Sequence, residues 1–184
     1  ISSTYALEIT GFIGLSSTFF KIGLGTTLTI SLTPNGPSCD LIFTPENQKF
    51  EIGKANQLTV GTDVTIIATG HMVWEALEAS KVLNAKGISA EVINIHTIKP
   101  LDASAILKSV AKTGCVVSAE EHNYYGGLGE SIARVLALNA PAPQEFVATN
   151  DTFGESGTPA QLMKKYGLDS DAIVSKVLKV IARK

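Results

Sequence analysis

DVTIIATG, residues 63–70, is the stretch whose reading decides the fold. Its β-branched run, 64–68, is bounded by Asp63 and Gly70 and is too short for a helix, so it predicts a buried strand. Downstream, Val73, Leu77 and the Val82/Leu83 pair recur at helical spacing and predict an amphipathic helix over 72–85, closed by Gly87. The alternation then repeats. Residues 90–95 read as a strand, and Asp102 stands at the N-cap of a helix carrying Ile106, Leu107 and Val110 on one face. Residues 115–119 read as the next strand, and Ile132, Val135 and Leu136 mark a helix ending near Asn139 and Pro141. A last strand is predicted at 145–148. Two helices follow, a short one opened by Pro159 and one from about Asp169 with Ile173, Val177, Val180 and Ile181 facing the core. Upstream, residues 52–59 form a weaker strand. Such alternation predicts an α/β fold with a mostly parallel sheet.

Composition agrees with a globular protein. The chain has 184 residues, 45% hydrophobic and 17% charged, with 15 Lys and Arg against 17 Asp and Glu. This balance excludes a disordered, collagen-like or polybasic chain, and it leaves no electrostatic footprint for nucleic acid or an anionic membrane. Cys39 and Cys115 match no metal spacing and read as free thiols in a reducing compartment, so no disulfide is expected. No apolar run reaches the ~18 to 20 residues of a membrane span, and the first residues lack the basic start of a signal peptide. A cytoplasmic location is expected. Ile1 in place of Met suggests a fragment or a processed product.

Residues 1–45 differ from the rest, being crowded with Ser, Thr and Gly and charged only at Glu8, Lys21 and Asp40. They are left unassigned as a domain, and 46–184 is read as the folded unit.

In a parallel sheet the loops at the carboxyl ends of the strands share one edge, where ligands bind at the point of strand-order reversal. Residues 69–71, 96–99, 120–129 and 150–155 converge there. Gly126, Gly127 and Gly129 precede a helix whose first amides lack internal partners, a turn that can receive an anion or simply bring backbone close to a neighbour. Glu120, Glu121 and His122 read either as acid and base groups, the two carboxylates forming a pair, or as interface or capping residues holding the turn. His71 and His96 each follow a strand but have no partners at metal spacing, so no metal site is expected. Signatures of hydrolases, nucleoside triphosphatases and dinucleotide enzymes are missing from the sequence. The residues support a binding or assembly domain better than a self-contained enzyme.

Five ordered motifs carry a resemblance: FEIGKA at 50–55, DVTIIATG at 63–70, INIHTIKPLD at 93–102, AEEHNYYGGLGES at 119–131 and DTFGESGTP at 151–159, followed by LMKKYGLDSDAIV. Over residues 45–184 they resemble the C-terminal domain of transketolase, most closely the C-terminal subunit of split transketolases. The same fold closes deoxyxylulose phosphate synthases and the beta subunits of 2-oxoacid dehydrogenases; AEEH with GGLGES and the FGESGTP tail favour transketolase.

The resemblance implies a three-layer α/β/α sandwich with a five-stranded mixed sheet whose first strand is antiparallel. It also implies a whole enzyme that moves two-carbon ketol units between sugar phosphates with thiamine diphosphate and magnesium, held by other domains. No catalytic, cofactor-binding or metal residue is therefore expected in this chain, and the chain alone is expected to be inactive. Its partner would be the thiamine-binding domains or an N-terminal transketolase subunit, in a homodimer or heterotetramer. By motif position the contact would involve His122, Tyr124, Gly126, Gly127 and Gly129, with Asp151, Phe153 and Glu155 nearby. The alternatives are a non-enzymatic docking module, like the one dehydrogenase beta subunits present to the next enzyme of their complex, or an anion- or nucleotide-binding module.

Overall fold

The decisive stretch lies in the middle of a five-stranded sheet. The structure, a computed structural model, describes residues 48–184, and Glu51–Lys184 form one compact unit. Residues 1–45 and Cys39 lie outside the described residues. In chain order the elements are β1 (Asn56–Gln57), β2 (Val64–Ala68), α1 (Met72–Ala85), β3 (Ala90–Asn94), α2 (Ala103–Thr113), β4 (Val116–Asn123), α3 (Leu128–Asn139), β5 (Gln144–Thr149), α4 (Pro159–Tyr166) and α5 (Ser170–Ile181). The strand order is β1-β3-β2-β4-β5, with β1 antiparallel to β3 and the others parallel.

Alternation along the strands builds two cores. On one face Ile67 joins Ile106 and Val110 of α2 and Ile132 and Leu136 of α3, all buried. Thr65 points the same way, and its hydroxyl meets those of Ser109 and Thr113 at 2.6 Å each, so this polar group is buried without an unmet hydrogen bond. The opposite face is covered by α1 and α5, which pack on each other. The result is a three-layer α/β/α sandwich. Each fully buried Ile of β2 contributes about 1.5–3 kcal/mol by leaving water, which is why the β-branched run was so informative.

The strands' amino ends are stapled by ion pairs. Glu91, buried at the start of β3, is paired with Lys112 of α2 and bonded by Gln57 Nε2 at 3.0 Å. Burial pushes its carboxyl up, but hydrogen bonds from Lys112, Ser109 and the Gly61 amide outweigh that and hold it below the usual range. Gly61 must be glycine because a Cβ there would overlap the backbone of Ala90 and Glu91. Glu145, buried at the start of β5, receives Lys176 at 3.3 Å and Lys179 at 3.0 Å from α5 and Arg183 at 2.5 Å from just beyond it. Here too the cations outweigh burial and the carboxyl lies low. Arg183 also donates to the Gln144 carbonyl at 3.1 Å, on the outer edge of the sheet.

Helix starts follow the sequence closely. Asp102 accepts from the Ala105 amide at 3.1 Å and also from Ala55 at 3.0 Å, tying the segment before β1 to α2. Asp169 caps α5, and a Thr158/Gln161 capping box opens α4 with Pro159 at its first position.

Two elements differ from expectation. The strand predicted over 52–59 pairs only at Asn56–Gln57, because Gly53 turns the chain with φ +79° and Leu58 and Thr59 both turn their amides to one carbonyl, that of Val92. β4, predicted to stop at residue 119, runs on to Asn123, where it pairs again with Thr149 after an irregularity. The polar string 120–123 read as loop, yet Glu120 belongs to the strand and is buried.

Candidate functional site

β2 and β4 are neighbours, but the chain leaves β2 toward α1 on one face and leaves β4 toward α3 on the other. Their carboxyl ends therefore open a crevice at the reversal of strand order, the place where such sheets receive ligands or partners. A shallow cleft of about 310 Å³ lies there, lined by the Thr69–Gly70–His71 turn, Ile98, Glu120, Glu121, His122 and the Gly126–Gly127 turn. Three of the four segments predicted to converge meet in it. Asp151 reaches it indirectly, accepting from Asn123 Nδ2 at 2.9 Å.

Glu120 is the buried floor of this site, 2% exposed. Its two carboxylate oxygens accept the Leu128 amide at 2.7 Å and the Gly129 amide at 2.8 Å, the first amides of α3. Glu121 is exposed. The two adjacent carboxylates differ in surroundings, Glu120 being buried against the start of α3 and Glu121 exposed at the cleft. His122 is exposed and donates from Nδ1 to the Asn123 carbonyl at 3.0 Å. His71 begins α1 with no side-chain cap and stands 3.8 Å from Glu75, whose other oxygen accepts the Ser170 amide at 2.8 Å. His96 sits beside Thr97 at 3.1 Å; burial lowers its imidazole below the ordinary value, and a hydrogen bond with the Lys54 backbone offsets only part of this.

The rim is aromatic. Tyr124 packs on Phe146 at 5.1 Å and meets Tyr125 edge-on at 5.3 Å. Tyr125 is 62% exposed and Phe153 98%, although the Phe153 carbonyl is held by the Tyr166 hydroxyl at 3.2 Å and Glu155 is paired with Lys165. Ile98, half exposed, represents the 96–99 segment in the cleft. One residue of the turn escapes the sequence reading: Glu130 takes the Gly126 amide at 2.8 Å, and a glutamate at the third position of a helix is a readable capping signal.

Thiamine diphosphate, implied by the resemblance, would need free amides or a magnesium ion to hold its diphosphate. The described residues do not fit it: the glycine turn's helix-start amides are donated to Glu120, and no three described His, Cys, Asp or Glu side chains stand close enough to hold a metal.

Fold and crevice together define a mixed-sheet α/β/α domain with a shallow cleft at the carboxyl edge of its sheet. Residues 53–173 match the family model described as the transketolase C-terminal domain, and the chain belongs to that family. It is 48% identical over 139 residues to the 6-deoxy-6-sulfo-D-fructose transketolase subunit SqwH of Clostridium sp. (strain MSTE9), a match covering 76% of this chain and 43% of that protein. Identity to an apulose-4-phosphate transketolase subunit of Phocaeicola vulgatus is 39% over 140 residues, 75% of this chain and 45% of the relative. A solved structure titled as a split gene transketolase, inactive beta4 tetramer, superposes with TM-score 0.74 at 44% identity, covering 76% of this chain and 46% of that one. The chain thus spans less than half the length of these relatives.

Proposed function

We propose that this chain is the C-terminal section of a split transketolase-like enzyme, a cytoplasmic transferase that moves two-carbon ketol units between sugar phosphates. The observation that carries this reading is the domain-long 48% identity to a protein named as a transketolase subunit. In the complete enzyme an N-terminal subunit holds thiamine diphosphate and magnesium, and this chain contributes assembly; alone it is inactive. The geometry supports a contact through the carboxyl edge. His122, Gly126 and Gly127 line the cleft, Asp151 is bonded to the neighbouring Asn123, and the Phe153 side chain, almost wholly in solvent, is available to a partner. The assembly expected is a homodimer of fused chains or a heterotetramer of split ones.

The test is reconstitution with the N-terminal subunit of a split transketolase. Light scattering should show one larger species, and ketol transfer should appear only in the mixture. Activity of the isolated chain, or a mixture that neither associates nor reacts, would sink the reading.

A further inference from the structure

We propose that Glu120 is the built-in ligand of the glycine turn. Its carboxylate fills the anion seat at the start of α3, closes that seat to phosphates, and acts as the positioning residue of the loop 124–127.

A helix start preceded by glycines offers amides to an external anion. Here five of the amides between Tyr124 and Gly129 are already used. Leu128 and Gly129 donate to the two oxygens of Glu120, Gly126 to Glu130, Tyr125 to Asn123 Oδ1 at 2.9 Å, and Tyr124 to the Thr149 carbonyl at 2.8 Å. A carboxylate 2% exposed is costly to bury without such donors, so the turn and Glu120 require each other.

The glycines serve this inward arrangement. A Cβ on Gly127 would overlap the Glu120 carboxylate, and one on Gly129 would overlap the Phe146 ring and Ser118 Oγ. Phe146 in turn carries Tyr124. Glu120 therefore sets where Gly127 and Gly129 lie, and through Phe146 and the loop it sets where Tyr124 and Tyr125 stand on the rim. Occupancy of the seat follows from the geometry alone; only its effect on a partner rests on the function proposed above.

Amide NMR on the full chain tests this directly. Titrating inorganic phosphate into the wild type should leave the Leu128 and Gly129 resonances unmoved. In Glu120→Ala the same resonances should shift, and formate, a carboxylate small enough for the vacated space, should return them toward wild type in a saturable way. Glu120→Gln is the variant that keeps the shape. Its amide group turns an N–H toward one of the two donors, so exchange of Leu128 or Gly129 should accelerate on the order of ten- to hundredfold, with Ile66 and Ile67 unchanged.

Phosphate shifting the wild-type amides would overturn the proposal. So would unaltered exchange in Glu120→Gln, or a folded Glu120→Ala blind to formate. Formate restoring the amides of a chain whose wild type binds no N-terminal subunit would uphold it while refuting the proposed function.

Discussion

The two ends of the sheet satisfy buried carboxylates by different means. At the amino ends Glu91 and Glu145 are met chiefly by the flexible ammonium and guanidinium groups of Lys112, Lys176, Lys179 and Arg183, with Gln57 and the Gly61 amide as further donors to Glu91. At the carboxyl end Glu120 is met by two backbone amides. A lysine can follow a shifting carboxylate, whereas an amide is fixed by its helix. Ion pairs therefore fasten helices to the sheet, and the amide pair fixes the shape of a loop. Stability should concentrate at one end and recognition at the other.

The sharpest way to break that division is at two glycines. Gly61→Ala, at the amino end, drives a methyl into sheet backbone that cannot yield, and should cost ~3 kcal/mol or more of stability by denaturant titration. Gly127→Ala presses on a side chain instead and should cost less; a larger loss there would reverse the comparison.

Phe153→Ala should leave the melting temperature unchanged but weaken association with the N-terminal subunit by ~2 kcal/mol, about thirtyfold in Kd by calorimetry. Unaltered affinity would move recognition away from this rim.

Glu145→Gln removes the charge that three half-exposed cations share. Loss of about 1 kcal/mol is expected, since exposed partners are screened by solvent. Addition of salt should narrow the difference between variant and wild type.

The smallest effect is the pH profile. Glu91, Asp102 and Glu145 all lie below their ordinary values, each despite burial, so their stabilisation is complete above the carboxylate range and is lost as pH falls through it. His96, lowered by burial, has the same sign but acts earlier: its contribution is whole above the ordinary 6.5 and declines as pH drops below that. His96→Asn should flatten the stability curve just below 6.5 and leave the acid limb in place.

Much of this was legible in the sequence, and the exceptions share a cause. The β-branched run 64–68, the Asp102 and Asp169 caps and the Pro159 start were readable because periodicity and capping are local. Glu120 was legible in part: reading 120–122 as capping residues that hold the turn matches its bonds to amides eight and nine residues ahead, but nothing in AEEHN separates it from Glu121 or places it in a strand. β1 was overread for a related reason: IGKANQLT has strand-like residues, but pairing ends where Gly53 turns and the 58–59 amides converge on Val92. The geometry separates the buried Glu120 from the exposed Glu121, a difference that the adjacent acids of the motif do not carry.

The basic group on α5 also shields an edge. β5 is the outer strand on its side of the described sheet, and Gln144-Glu-Phe-Val-Ala-Thr149 is the kind of segment that recruits identical strands from other molecules. Arg183 occupies one of its outward carbonyls, and Lys176 and Lys179 stand alongside. Arg183 thus stands where an added strand would bond, and a chain clipped before it should self-associate at concentrations that the chain carrying it tolerates.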